Sequence, residues 1–329
     1  MTLDRRQLMH LAAGAAMLPA ATRVAWSQSY PTRPVTLVAP WPAGGAVDIL
    51  SRTLAQPLGT RLGQTVVVED RPGAGSVIGT ASVARAAPDG YTLVMAGSAA
   101  LAVAVSVYKK LAYDPRKDLA PIGLVARIPF ILVVNPSLPV HDVPELIGLA
   151  KSKPGALSYA SGGPGSPHHL YMELFKTMTG IDMVHIPYKG TAPALTDIIA
   201  GQVPVMFADV VGALPMVRAG KVRALAVSSI VRFPEAPEIP TVAEQGVRDF
   251  DGVGWVLAAA PAGTPAAIID RLHTELKAVI AMPATQKQIA LLGMIPIDSA
   301  PVAEIPAYID SEITRWSGVV EQAGLAGTQ

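Results

Sequence analysis

The chain has no cysteine. That excludes disulfides, cysteine-ligated metal sites and a thioether lipid anchor. Stability must come from an apolar core, which a chain of 329 residues can supply. Net charge is also nearly absent. It is formally +1 at pH 7, and residues 28–329 carry 23 basic and 24 acidic side chains. Such a balance leaves no electrostatic footprint for nucleic acid or an anionic membrane, so an anionic ligand would have to be held by local dipoles. Beyond the N-terminal segment no apolar run approaches the ~18 residues of a membrane span. The nearest, residues 99–107, stops at Lys109-Lys110.

Signatures of catalysis are missing as well. There is no Walker lysine, no H-E-x-x-H pair and no G-x-S-x-G elbow. Gly73-Ala-Gly75-Ser-Val-Ile-Gly79 sets its last glycine one residue late for a dinucleotide loop. His168 and His169 are adjacent, so on a helix they diverge by about 100° and chelate one ion poorly. Ser161 or Ser166 with His169 could pair a nucleophile with a base, but no third group that would orient the base is evident. The chain reads as a binding protein rather than an enzyme, with no cofactor and no metal.

What is present begins with an export signal. Arg5-Arg6 precede an apolar run from Leu8 to Ala21, and Ala25-Trp26-Ser27 offers a small-x-small cleavage site before Gln28. Asp4-Arg-Arg-Gln-Leu-Met9 resembles a twin-arginine signal, with Arg23 following the apolar core. Residues 1–27 are therefore expected to be removed, leaving a periplasmic, monomeric chain with no membrane insertion.

From there, short apolar runs alternate with helical patterns, and 30 prolines and 29 glycines punctuate them. Strands are expected at 34–39, 65–69, 91–96, 130–134, 156–160, 183–187, 203–208, 222–228 and 253–259. Helices are expected at 46–58, 76–87, 142–152, 167–179, 191–200, 265–281 and 302–322. Thr264-Pro265 and Ser166-Pro167 each supply an N-cap and an N1 proline. The alternation predicts α/β domains whose sheets are covered on both faces. Proline-rich segments at 121–129 and 233–251 mark the joins, so the chain leaves a first lobe and later returns to it.

In open α/β sheets ligands sit beyond the carboxyl ends of strands, and five such ends carry small or polar residues. The most informative is Ala39-Pro-Trp-Pro-Ala-Gly-Gly-Ala-Val-Asp48, where an apolar strand opens into a helix through a glycine pair. Bare N–H groups at a positive helix terminus can seat a carboxylate or phosphate. The candidates there are Trp41, Ala43, Gly44, Gly45 and Asp48. Ser98 follows the strand ending near residue 96. Ser161-Gly-Gly-Pro-Gly-Ser-Pro-His-His169 is a second glycine-rich opening, with candidates Ser161, Gly162, Gly165, Ser166 and His169. The segment His185-Ile-Pro-Tyr-Lys-Gly-Thr191 should end in a helix capped by Thr191. Asp209 either orients a ligand group or bonds neighbouring N–H groups.

Taken in order, these segments resemble one family, the periplasmic solute receptors of tripartite tricarboxylate transporters, or Bug receptors. The resemblance spans essentially all of residues 28–329. It is carried by Tyr30-Pro-Thr-Arg-Pro34, Pro40-Trp-Pro-Ala-Gly-Gly45 with Asp48, Val68-Glu-Asp-Arg-Pro-Gly-Ala-Gly75 and Pro88-Asp-Gly-Tyr-Thr-Leu93. It continues in Tyr188-Lys-Gly-Thr-Ala-Pro193, Ala219-Gly-Lys-Val-Arg-Ala-Leu-Ala226, Pro240-Thr-Val-Ala-Glu-Gln-Gly246 and Ala260-Pro-Ala-Gly-Thr-Pro265. It implies a two-lobed, type II periplasmic binding protein fold, each lobe a mainly parallel sheet flanked by helices. Residues 28–128 and 251–329 would form lobe 1, and 129–250 lobe 2. It further implies a small organic carboxylate held between the lobes by backbone amides and water, and delivery to membrane transporter subunits. The alternative is a sensing subunit that presents its ligand to a signalling receptor. Two departures from the family pattern stand out. Residues 99–103 are wholly apolar where relatives carry His or Asn, which suits an uncharged or aromatic ligand body. Trp41 replaces a common Phe and enlarges the apolar surface at the pocket mouth.

Overall fold

The computed structural model describes residues 30–41 and 43–328. The expected export signal at 1–27 lies outside them. The chain forms two mixed sheets. The first contains β1 (Val35–Ala39), β2 (Val66–Asp70), β3 (Thr92–Gly97), β4 (Leu119–Ile128), β10 (Gly254–Pro261) and β11 (Ile295–Pro296), in the order β11-β4-β10-β3-β1-β2. The second contains β5 (Phe130–Val134), β6 (Ser158–Ser161), β7 (Val184–Pro187), β8 (Val205–Asp209) and β9 (Arg223–Val227), in the order β7-β6-β8-β5-β9. Each sheet is one lobe.

Strand direction organises the space between the lobes. In the first sheet β1 to β4 run one way and β10 and β11 run back. In the second only β5 is reversed. The reversed strands β5 and β10 are those that enter from the other lobe. β4 ends at Ile128 and β5 begins at Phe130, with Pro129 between them. The parallel strands therefore point their carboxyl ends at the cleft, while β5 and β10 present their amino ends to it.

β10 is buried along its whole length because helices cover both faces of its sheet. On one face α8 (Ala266–Ile280) buries the stripe Ile269, Leu272, Leu276, Val279 and Ile280, as its period predicts. On the other, α10 (Ile305–Gln322) buries Ile309, Ile313, Trp316 and Val320. The apolar cluster containing Trp316 runs without a break into the second lobe through Tyr171, Phe130, Phe175, Phe207 and Phe250. Buried Glu312 accepts the indole N–H of Trp255 at 2.8 Å and of Trp316 at 3.1 Å, and pairs with Arg315. The lobes are thus joined behind the cleft.

Several expectations shift in detail. β4 was absent from the predicted strands, and its prolines were read as a join. Pro121 in fact sits opposite Ala259, where the β4–β10 register slips, and an irregularity of that kind is where a sheet tolerates a missing N–H. The apolar segment Ala99–Val103 is a wide π-helical turn leading into α3 (Ala104–Val107). Helices at Val210–Arg218 and Pro283–Leu291 were also unpredicted. Thr191 does not cap its helix. Gly190 occupies the cap position, and the Thr191 hydroxyl pairs with His168 instead. Pro265 rather than Thr264 holds the cap position of α8, and the Thr264 hydroxyl donates to the Pro261 carbonyl.

Candidate functional site

The first glycine-rich loop joins β1 to α1 (Ala46–Leu62). Gly44 has φ +79°, a left-handed conformation that favours glycine. Its N–H donates to Asp48 Oδ2 at 2.7 Å, while Asp48 Oδ1 pairs with Arg52 Nε at 2.6 Å. Arg52 also reaches Asp70 at the end of β2, at 2.7 Å. Asp48 is 3% exposed, so it braces the loop from beneath and the Gly44 amide is already engaged. No side chain caps α1 at Gly45. An α-helix leaves its first N–H groups without internal partners, and Gly45, Ala46 and Val47 line a cavity between the lobes.

The second loop joins β6 to α5 (Pro167–Thr179) and is cross-braced from within. Ser161 is fully buried; its hydroxyl meets His185 Nε2 at 2.6 Å and accepts the Gly163 N–H at 3.0 Å. Ser166 stands at the cap position of α5 but turns its hydroxyl back to the Gly163 carbonyl, at 2.6 Å. Gly165 donates its N–H to His169 Nδ1 at 3.1 Å. That ring therefore carries its proton on Nε2, which faces Glu173 Oε1 at 3.9 Å. His169 stacks on His185, with centroids 3.9 Å apart and planes 8° from parallel, and Tyr159 lies beside the pair, its centroid 5.1 Å from that of His185 and 6.3 Å from that of His169. Burial, and secondarily the neighbouring His185, push the His169 pKa down to about 4. Burial lowers His185 too.

This arrangement corrects the possible nucleophile–base pairing. His169 serves neither serine: its ring holds the Gly165 amide, and Ser161 bonds to His185. The serine that does meet a histidine is sealed and occupied in the turn, so it is no nucleophile. His185 entered the sequence reading only as the first residue of a strand-end segment.

Asp209 caps α7 (Val210–Arg218), accepting the Gly212 N–H at 2.8 Å, and its other oxygen lies 3.8 Å from His168 Nε2. Burial raises its pKa, but the nearby His168 and Thr191 side chains and the Gly212 N–H outweigh that and hold the carboxyl below its usual range. Gly162 packs so tightly that a Cβ there would come 3.1 Å from His168 Nδ1.

Two cavities, with a small pocket of about 30 Å³ beside them, lie in the cleft. An inner one of about 280 Å³ is lined by both lobes, from Trp41, Gly45 and Ser98 on one side to Phe130, Pro167 and Tyr171 on the other. An outer one of about 580 Å³ shares Trp41, Ala99 and Pro167 and adds Gly165 and Ser166. A larger groove of about 760 Å³ runs along α1 beside β2, away from both loops and within one lobe. The enclosed position between lobes, not size, marks the inner cavity as the site. Of the sequence candidates, Trp41, Gly45, Ser98, Gly165 and Ser166 line these two cavities. Ala43, Gly44, Asp48, Ser161, Gly162, His169 and Asp209 line neither. Sequence reasoning missed Ile128, Phe130, Tyr171, Gly254, Trp255 and Val256. Ile128 and Phe130 flank the lobe crossing and Gly254, Trp255 and Val256 open β10; in β5 and β10 the amino rather than the carboxyl ends face the cleft.

A family model described as "Tripartite tricarboxylate transporter family receptor" matches residues 50–325. The chain belongs to this family. It is 38% identical over 299 residues to protein BugT of Bordetella pertussis, covering 91% of each chain. Among solved structures it is similar to R. palustris Rpa4515 with adipate, at 36% identity and TM-score 0.75, covering 90% of this chain and 99% of that one. It is also similar to MatC from Rhodopseudomonas palustris with bound malate, at 32% identity and TM-score 0.71, covering 88% and 100%.

The receptor has the two-lobed α/β architecture of periplasmic binding proteins, and its family places it outside the cytoplasm. Among the described residues no helix is long and apolar enough to cross a membrane, and no group of three or more metal-ligating side chains occurs.

Proposed function

We propose that this receptor captures a small organic carboxylate in the inner cleft and presents it to the membrane subunits of a tripartite tricarboxylate-type transporter. Lobe 1 is taken as residues 28–128 and 251–329 and lobe 2 as 129–250. The mature chain begins at Gln28 after signal removal and acts as a soluble monomer. One observation carries the reading: the 17-residue helix α1 opens without a side-chain cap onto a cavity walled by both lobes. Its aligned peptide dipoles favour an anion there. Trp41 lines the same cavity, and its indole N–H is buried without a partner among the described residues. Each such interaction is worth about 0.3–2 kcal/mol, so several must act together. Contacts to both lobes exist only in the shut form, and the ligand therefore shifts an open–closed equilibrium. The adipate and malate bound to two relatives are ligands of this chemical class.

Ala46→Pro is the direct test. Proline is tolerated at the first helical position and removes only that N–H. Gly45 already has φ −71° and ψ 158°, which suits a residue before proline. Calorimetry should show carboxylate affinity falling about tenfold, which corresponds to about 1.4 kcal/mol, with the thermal unfolding midpoint of the free protein unchanged. Undiminished affinity would remove the α1 terminus from the site.

A further inference from the structure

The walls of the cleft go further than the carboxylate class and select within it. We propose that the cleft takes a monocarboxylate with a flat, apolar, aromatic-sized body, and that it discriminates against short dicarboxylates. This rests on the carboxylate reading above.

Four aromatic residues line the inner cavity, Trp41 the most exposed and Phe130, Tyr171 and Trp255 packed behind it, together with aliphatic residues such as Ile128 and Val256. Among the described residues no charged side chain lines it, and none lines the outer cavity. A second carboxylate on the ligand would be drawn from water with no cation to meet it. A buried unpaired charge of that kind is strongly disfavoured. An aromatic ring, by contrast, finds ring faces and edges on several sides.

The aromatic walls are fixed. Trp255 is fully buried, and its indole N–H is tied to Glu312. Phe130 and Tyr171 meet edge to face, with centroids 4.9 Å apart and planes at 90°. Gly254 leaves the space in front of them open. A Cβ there would come 3.2 Å from the Tyr171 hydroxyl and 3.3 Å from the Ser98 hydroxyl. Those two hydroxyls and the open α1 terminus are the polar features of a chamber otherwise lined by apolar groups. At about 280 Å³ the chamber holds roughly nine water volumes of ~30 Å³, room for a ligand of single-ring size.

The test is calorimetric titration of the mature protein with benzoate and phenylacetate against adipate and malate. The aromatic monocarboxylates should bind at least tenfold more tightly than either dicarboxylate. They should also change the tryptophan fluorescence, because Trp41 and Trp255 are two of the three tryptophans in residues 28–329. Trp41→Ala should weaken benzoate at least tenfold more than it weakens adipate, because adipate loses no ring contact there. Ala99→Arg, which places a cation on the shared wall of the two cavities, should raise adipate affinity and lower benzoate affinity. Adipate or malate binding as tightly as the aromatic acids would overturn the specificity while leaving the carboxylate-receptor reading intact. If none of the four acids binds, that reading falls and this proposal with it. An unchanged preference in both variants would also overturn it, since the walls would then not be choosing.

Discussion

The two glycine-rich loops look alike in sequence, each leading from a strand to a helix, yet they spend their hydrogen-bond donors differently. In the loop at 41–48 a single carboxylate, Asp48, takes the Gly44 amide and leaves the helix terminus open to the cleft. In the loop at 161–169 the Gly163 and Gly165 amides are taken internally by Ser161 and His169, and the Ser166 hydroxyl donates to the Gly163 carbonyl. A glycine-rich strand-to-helix junction therefore does not by itself say which amides are free. That depends on whether a side chain from the following helix turns back to claim them. The first loop offers dipole; the second offers a preformed wall.

The sharpest way to break this comparison is Asp48→Ala. The variant orphans the Gly44 N–H and leaves Arg52 with only Asp70. Losing a buried, charge-assisted brace should lower stability by about 3 kcal/mol, measured by urea unfolding. Ligand binding should fall further than stability alone explains, because Gly44 loses its hold. If folding and binding are both preserved, the first loop is held by something other than Asp48. Gly44→Val, by contrast, forces a β-branched residue into a positive φ. It would disturb the loop's shape without reporting on any ligand contact.

These contrasts also show what the amino-acid sequence can reveal. The alternation of apolar runs with helical patterns was enough for two α/β lobes, and the helix stripe from Ile269 to Ile280 was readable because its 3.6 period is strict. β4 was not, because Pro121 and Pro129 read as breaks when one sits at a register slip and the other at the lobe crossing. The loops of the site were legible from their glycines. Its walls were not. Phe130 and Trp255 reach the cleft only because β5 and β10 run backwards, and Tyr171 lies inside a helix whose facing depends on the other lobe. The fates of the loop donors were equally hidden, since Asp48 and His169 act four residues from the amides they hold.

The second loop can be loosened by acid. The unfolded His169 titrates near its ordinary value of 6.5, whereas the folded ring, buried and beside His185, titrates near 4. Between these values the unfolded chain binds more protons, so stability rises with pH there. His169 thus contributes stability that is fully present above about pH 6.5 and is lost as pH falls toward 4, about 3 kcal/mol in all. His185, lowered in the same direction, adds to the slope. Unfolding free energies measured from pH 7 to pH 4 should fall accordingly. His169→Asn retains an acceptor near the Gly165 amide but cannot titrate, so its profile should be visibly flatter. An equally steep profile in that variant would place the acid sensitivity elsewhere.

The smallest expected effect separates capping from bracing. Ser166 occupies the cap position of α5, yet its hydroxyl donates to the Gly163 carbonyl and leaves the helix N–H groups alone. A capping serine replaced by alanine loses typically about 1 kcal/mol of helix stability. Here the helix should lose nothing of that kind, and only the turn at Gly163 should slacken, by about 0.5–1 kcal/mol. Hydrogen exchange distinguishes the two. In Ser166→Ala the amides of the Gly163–Gly165 turn should exchange faster while those in the first turn of α5 keep their rates. Faster exchange at the helix start would mean that Ser166 caps after all, and that the second loop, unlike the first, completes its helix terminus with a side chain.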